Sequence, residues 1–335
     1  MKAIVYTVKG GPDVLRLVER PVPEPGPGEV RVRVVVSGVN PTDWKMRLSA
    51  DPGAEQVPNQ DGAGVIDAVG PGVPDDRIGD RVWLWEAAYR RTGGTAQEFV
   101  TLPSRQAVTL PDHASFDLGA SVGIPAITAH RCLTVAEAGP ERLGDGALFG
   151  RTVLVAGGAG AVGNAAIQLA VWAGATVLTT VSSPEKEALA RAAGAHHVVD
   201  YRQQDAAERM RELAPSGVDI VVEVAPAANA ALDLAVVGSD AVVAFYANDA
   251  ETAAVPVRPS MVANLRWQGV MVYGVPTAAK DHAVAAVSSA LFEGALRAGP
   301  EAGLPFHRFP LARTAEAHTA VRSGAVGKVL IDVAG

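Results

Sequence analysis

The stretch Thr152-Val-Leu-Val-Ala-Gly-Gly-Ala-Gly-Ala-Val-Gly163 decides how this chain reads. Val153, Leu154 and Val155 form an apolar, largely β-branched run of the kind a buried parallel strand carries. It passes into Gly158-Ala159-Gly160-Ala161-Val162-Gly163, a G-x-G-x-x-G, and then Val162, Ala165, Ala166, Leu169, Ala170 and Ala173 recur at helical spacing. Strand, glycine turn and helix start together are the context in which this motif holds a dinucleotide. Residues without Cβ let the backbone approach a pyrophosphate, and the unpaired N–H groups of the helix's first turn bind it. In a chain with 35 glycines the flanking pattern, not the motif alone, carries that reading.

Downstream the same alternation continues. Strands are predicted at Thr176–Val181, His197–Asp200, Asp219–Val224, Ala241–Tyr246 and Gly269–Tyr273, with helices over Glu185–Ala193, Asp205–Leu213 and Asn229–Val236 between them. With Thr152–Ala156 these make a doubly wound sheet of six strands, followed by a helix over Ala283–Arg297. Upstream the pattern differs. Glu29–Val36 alternates Val30, Val32, Val34 and Val36 against Arg31 and Arg33, and short strands recur at Gly64–Val69, Arg81–Trp85 and Ala96–Leu102 between Gly, Pro and Asp. Such spacing points to a barrel-like module. The tail, with Phe306–Pro310, a helix over Ala315–Ser323 and a strand Lys328–Val333, returns to that style, so the β-rich module is expected to be built from both chain ends around an inserted nucleotide domain.

Composition narrows the class. At 335 residues roughly two domains are expected. A net charge of -7 argues against nucleic acid as the main partner. The single cysteine, Cys132, excludes an internal disulfide and a thiolate-rich zinc site. No apolar run of about 18 residues spans a membrane and no signal-peptide core follows Met1, so the expectation is a cytoplasmic protein.

Several collinear motifs resemble one family. They are GGPDVLRL near the start, GVNPTDWKMR at Gly38–Arg47, PNQDGAGVIDAVG at Pro58–Gly70, GDRV at Gly79–Val82, GGTAQEFV at Gly93–Val100 and GIPAITAHRCL at Gly123–Leu133; GAHHVVDYRQQD at Gly194–Asp205 and a closing GKVLIDV complete the set. The chain resembles the zinc-free quinone oxidoreductase (zeta-crystallin-like) branch of the medium-chain dehydrogenase/reductase superfamily. That resemblance implies an α/β fold: a Rossmann domain, 123–302, inserted into a β-rich GroES-like catalytic domain, 1–122 and 303–335. It also implies a homodimer formed through the apolar strand Gln268–Gly274, the last of its sheet and an open edge.

Metal-dependent relatives carry a cysteine ligand where this chain has Asn40, and a His-Glu pair where it has Gln60-Asp61. An amide is a poor zinc ligand, and His196 and His197, neighbours in a strand, point to opposite faces; no metal site is expected. Gly119-Ala120-Ser121-Val122-Gly123 matches the hydrolase G-x-S-x-G but lacks the strand before it that a nucleophile elbow needs. Asn40, Asp43 and Lys45 read as a loop after a strand, with Asn40 and Asp43 either capping the local backbone or serving the site. By resemblance Asn40 lies beside the nicotinamide and the substrate carbonyl, and Thr128 either faces the nicotinamide, as the resemblance implies, or is plain helix packing. Lys45 stands where many relatives have tyrosine; it either polarises a carbonyl or points into solvent.

Tyr201, at a strand end, is read as stacking on the adenine side or as an ordinary half-buried aromatic. Phe245, Tyr246 and the backbone of Tyr273, Gly274 and Val275 fall at the carboxyl ends of predicted strands, where such sheets bind ligands. Lys328 either reaches the cofactor from the other domain or is a hairpin charge. Cofactor choice is read from the tip of the second strand. No carboxylate stands there to hold a ribose diol; Ser182, Ser183 and Lys186 stand there instead, suited to a 2′-phosphate and hence to NADPH. Ser183 reads as N-cap and Pro184 as the first helical residue, which sets Lys186 in the first turn. The expected activity is hydride transfer from NADPH to a small-molecule quinone or α,β-unsaturated carbonyl. An enoyl-thioester reductase and a non-catalytic NADPH-binding sensor are the alternatives, and a zinc alcohol dehydrogenase is the weakest.

Overall fold

The computed structural model describes residues 1–137 and 139–333. The chain divides into two compact units, Met1–Ile124 with Pro305–Gly335, and Pro125–Leu304. In chain order the first unit opens with β1 (Lys2–Val5), β2 (Arg16–Glu19), β3 (Glu29–Val39), α1 (Pro41–Ser49), β4 (Asp61–Val69), β5 (Arg81–Leu84), β6 (Phe99–Pro103) and β7 (Ala107–Thr109). The helix α2 (Phe116–Leu133) follows; its residues up to Ile124 belong to the first unit and those from Pro125 to the second. The second unit contains β8 (Thr152–Ala156), α3 (Ala161–Trp172), β9 (Thr176–Val181), α4 (Pro184–Ala192), β10 (His197–Asp200), α5 (Ala206–Leu213) and β11 (Val218–Glu223). It continues with α6 (Pro226–Val236), β12 (Val237–Phe245), α7 (Val257–Val262), β13 (Arg266–Gly269) and α8 (Thr277–Phe292), before β14 (Phe306–Pro310), α9 (Thr314–Arg322) and β15 (Lys328–Asp332) close the first unit.

The longest strand, β3, organises the first unit. It pairs antiparallel with β4, β6 and β15, inside a sheet ordered β14-β15-β3-β4-β5-β7 with β6 added on β3. Its alternation is the sequence pattern made physical: Val30, Val32 and Val34 enter the core with Ile66, Leu84, Leu102 and Ile331. Arg31, on the other face, makes a two-pronged pair with Asp67 of β4 at 3.0 and 3.2 Å. Beyond Val36 the alternation stops and Ser37, Gly38 and Val39 are all buried. Burial on both faces is what places the end of β3 and the start of α1 inside the unit.

The second unit is a parallel sheet ordered β10-β9-β8-β11-β12-β13, that is 3-2-1-4-5-6 in its own strand order. The order reverses between β8 and β11, and the carboxyl ends of those strands flank the crevice where doubly wound sheets bind ligands.

Several expected boundaries shift. Residues from Pro41 form helix α1, not a loop: Asn40, Pro41 and Asp43 occupy N-cap, N1 and N3, a helix-start signature that also reads as a turn. The strand expected to reach Tyr273 ends at Gly269, because β12, the strand it pairs with, ends at Phe245 opposite it; Val272–Gly274 then turn as a 3-10 helix. The helix expected over Ala283–Arg297 runs from Thr277 to Phe292 and stops before Gly294, whose φ of 70° a helix cannot continue. Ser121 sits in mid-helix with its Oγ donating to the Asp117 carbonyl at 2.6 Å, so the G-x-S-x-G has no elbow geometry.

Candidate active site

The glycine turn forms as the spacing requires. β8 ends at Ala156, Gly157 takes φ 70°, and Gly160 becomes the N-cap of α3 with its N–H bonded to the Gly157 carbonyl at 3.0 Å. A Cβ on Gly163 would lie 2.4 Å from the Gly157 oxygen, so only glycine lets the helix close this tightly on the turn. Ala161 and Val162 begin the helix, and Ala159 is buried within the turn. The first-turn N–H groups of α3 are left for an anion.

At the tip of β9 the side chains predicted to read a 2′-phosphate come together. Ser183 is the N-cap of α4 with Pro184 at N1, and the Lys186 ammonium donates to Ser182 Oγ at 3.0 Å. Ser183 also bonds to the Glu185 carboxylate and holds it below the usual carboxylate range, so an anion at this tip meets one carboxylate as well as one ammonium. Tyr201 follows β10, half exposed, with its N–H on the Val181 carbonyl. Phe245 ends β12 and Tyr246 follows it, its N–H bonded to the Glu223 carbonyl at 3.1 Å. Tyr273 and Gly274 lie in the 3-10 turn past β13, with Val275 directly after it, and are not strand residues. Thr128 is buried in α2.

Sequence reasoning missed a buried carboxyl pair beside this crevice. Glu223 ends β11 and accepts from the Ala225 N–H and from Asn229 Nδ2. Burial and the neighbouring Glu223 push the Asp233 carboxyl up to about 9. A protonated Asp233 hydrogen-bonded to Glu223 ties the β11–α6 turn to the helix behind it.

In the first unit the structure gathers residues from four distant segments. Asn40, at the end of β3, donates from Nδ2 to Asp61 Oδ2 at 2.7 Å and accepts from Lys328 Nζ at 2.8 Å on Oδ1. Lys328 Nζ also stands 3.4 Å from Asp61 Oδ2, both side chains being essentially inaccessible. The Ile124 N–H donates to Asp61 Oδ1 at 2.8 Å, and this approach needs Gly123, where a Cβ would lie 2.3 Å from the carboxylate. Lys328 is therefore not a hairpin charge. It is a buried cation at the first position of β15, its pKa lowered by burial against the opposing pull of Asp61.

Asp43 completes the group. Its Oδ2 accepts the Asn40 backbone N–H at 2.7 Å, which caps α1, while Asn40 spends its side chain on Asp61 and Lys328. Burial pushes the Asp43 carboxyl up to about 8. Gln60 is committed elsewhere, its Oε1 to the Ala88 N–H and its Nε2 to Met46 Sδ. Lys45 is exposed two residues past Asp43, hence on another face of α1, with its ammonium 5.8 Å from the Trp44 ring centre. Asp61 was legible only as the second residue of the Gln60-Asp61 pair, and its partner lies 267 positions away.

Among the described residues no group of three His, Cys, Asp or Glu side chains is placed to hold a metal ion. Nor is any helix among them long and apolar enough to cross a membrane.

Two family models match: the alcohol dehydrogenase GroES-like domain over residues 26–112 and the zinc-binding dehydrogenase domain over 161–289. Quinone oxidoreductase of Lama guanicoe is 30% identical over 338 residues, covering 99% of this chain and 97% of that protein. The rat synaptic vesicle membrane protein VAT-1 homolog is 36% identical over 229 residues, which span 67% of this chain and about half, 53%, of that protein. Among solved structures, a mycobacterial protein complexed with NADPH superposes with a TM-score of 0.81 at 30% identity over 99% of both chains. An NAD-dependent alcohol dehydrogenase superposes at 0.85 with 28% identity, covering 99% of this chain and all of that one. Fold and site thus define a two-domain dehydrogenase/reductase. The chain belongs to the quinone oxidoreductase family within the medium-chain dehydrogenase/reductase superfamily.

Proposed function

We propose that this chain is an NADPH-dependent reductase that delivers hydride to a quinone or an α,β-unsaturated carbonyl without zinc. The observation that carries the reading is the buried group Asn40–Asp61–Lys328. Where a metal-dependent relative would offer thiolate and imidazole to a cation, this chain offers an amide and a fixed ammonium. A dication brought beside that ammonium would be repelled, and the oxygens nearest it are already bonded. A conjugated carbonyl needs no such Lewis acid, because its product anion is delocalised.

The cofactor assignment rests on the glycine turn and on Ser182, Ser183 and Lys186, whose charge and hydroxyls suit a 2′-phosphate. When bound, NADPH supplies the hydride. The second unit's part is to hold the pyrophosphate on the first turn of α3, the 2′-phosphate beside Lys186 and the ribose side near Tyr201, with Thr128, Phe245, Tyr246 and the Tyr273–Val275 backbone serving the nicotinamide. The assembly we propose is a homodimer through the β13 edge, where Val257, Met261, Val262 and Met271 are exposed.

The test is NADPH oxidation by chelator-treated protein against quinones, enones and enoyl thioesters. Turnover of a quinone or enone with less than a tenth of a zinc per chain is expected. Activity that disappears with the chelator and returns with zinc refutes the metal-free part. Turnover of none of the panel leaves an NADPH-binding protein that is not a reductase.

A further inference from the structure

In the first unit Tyr6, Met46, Pro58, Gln60 and Ala88 line a cavity of about 400 Å³, a size that suits a small organic molecule. Gln60 is 2% exposed. Its Oε1 accepts the Ala88 N–H at 3.1 Å, and only an oxygen takes that bond, so the amide is fixed with its nitrogen turned the other way. There Nε2 meets Met46 Sδ at 3.8 Å. A thioether is a weak acceptor and serves at most one of the two N–H groups; the second has no acceptor among the described residues. We propose that Gln60 is the substrate-binding donor of this cavity, giving an Nε2–H hydrogen bond to a carbonyl oxygen of the hydride acceptor and so selecting a quinone or enone over a ring without that oxygen. The choice of ligand class rests on the reductase reading given above.

Gln60 is held in place at both ends. Its backbone N–H bonds to the Asp43 carboxyl and its C=O accepts the Ala87 N–H at 3.0 Å, so main chain and side chain are both pinned. Asn59, just before it, takes φ 78°, in the left-handed region that asparagine tolerates better than most residues. The Asn59 side chain is spent on fixing that turn: Nδ2 donates to Ser37 Oγ at 2.9 Å, which leaves Oδ1 to accept from His318 Nε2 at 2.9 Å. The donor is therefore oriented before a ligand arrives. It also faces the right way. The Ala88 end of the amide is buried and the Met46 end is partly open, Met46 itself being 38% exposed, and both residues line the cavity.

The walls suit a conjugated ring. Met46, Val57, Pro58 and Ala88 offer apolar contact, and a methionine sulfur packs well at the edge of a ring. A ligand without an oxygen at Nε2 seals the second N–H away from water unbonded, and that cost is what turns a hydrogen bond into discrimination.

The test sets a ligand with the oxygen against one without it, on the full chain and in the absence of NADPH. Equilibrium dialysis gives the dissociation constants of naphthoquinone and naphthalene for wild type and for Gln60→Met, which keeps the length of the side chain. The variant is expected to bind the quinone at least about tenfold more weakly and naphthalene within about twofold of wild type. The infrared carbonyl stretch of isotope-labelled naphthoquinone on wild type is expected below its value in an aprotic solvent, and to return towards that value in the variant. Because the stretch is read on wild type alone, a variant that fails to fold does not shield the proposal. It is overturned by an unlowered stretch, by a wild type that does not bind the quinone, by a variant that binds it as well as wild type, or by equal weakening of both ligands. With NADPH added, Gln60→Met should lower kcat/KM for the quinone at least about tenfold. A wild type that binds the quinone with a lowered stretch but oxidises no NADPH refutes the reductase reading and leaves the donor role standing. A quinone reductase whose variant keeps its kcat/KM overturns the donor role and leaves the reductase reading standing.

Discussion

Lys328 gives a hydrogen bond from its ammonium to the Asn40 amide oxygen, 2.8 Å across 288 positions of sequence. The bond joins the last strand of the chain to the end of β3 and fixes which way the Asn40 amide faces. With its oxygen occupied by Lys328, the amide nitrogen must point to Asp61. Loss of this cation therefore has two effects, on stability and on the orientation of the site.

Lys328→Met is expected to destabilise the first unit by about 3–5 kcal/mol, the scale for leaving a buried carboxylate without its partner. Adding Asp61→Asn should recover most of that loss, because it removes the stranded charge. Chemical denaturation of the two single variants and the double variant gives the coupling directly. Additive effects would mean that the two side chains do not act as a pair.

Asp43 makes stability depend on pH. Its folded carboxyl titrates near about 8, well above the unfolded range, so the folded chain binds the extra proton between those values. Stability from this group is fully present below the unfolded pKa and declines as pH rises towards about 8, by up to about 1.4 kcal/mol per pH unit. Asp43→Asn removes that slope. The melting temperature of the variant is expected to gain on wild type from pH 5 to pH 8 and to run parallel to it above.

Lys186 is the residue proposed to set the cofactor choice. Lys186→Ala is expected to lower kcat/KM for NADPH at least tenfold, about 1.4 kcal/mol, with a much smaller effect on NADH. Glu185 bonds to the Ser183 hydroxyl, next to the Ser182 hydroxyl that takes the Lys186 ammonium, so Glu185→Gln should move the preference further towards NADPH. Equal use of both cofactors by wild type would remove the 2′-phosphate role from this tip.

The open edge at β13 predicts assembly. Met261→Glu with Val262→Glu places two charges on a surface where both residues are largely exposed in the single chain. Analytical ultracentrifugation should find a wild-type dimer at micromolar concentration and a dissociation constant raised more than tenfold in the variant. A monomeric wild type would refute the proposed dimer.

The alternation that starts at Thr152 and the glycine run fixed the second unit's architecture from local pattern, because each βα unit signals its own period and turn. The N-cap Ser183, Pro184 at N1 and Lys186 in the first turn were equally legible, since capping involves residues three or four apart. The first unit's site was not. Asn40 could be singled out, but its partners Asp61 and Lys328 lie 21 and 288 positions away, and no local period links them. Asp43 read as a turn residue because N-cap and turn signatures share the same side chains. Only the packing of β15 and β4 on either side of β3 buries its carboxyl beside a second carboxylate and a lysine, and that burial is what raises its pKa.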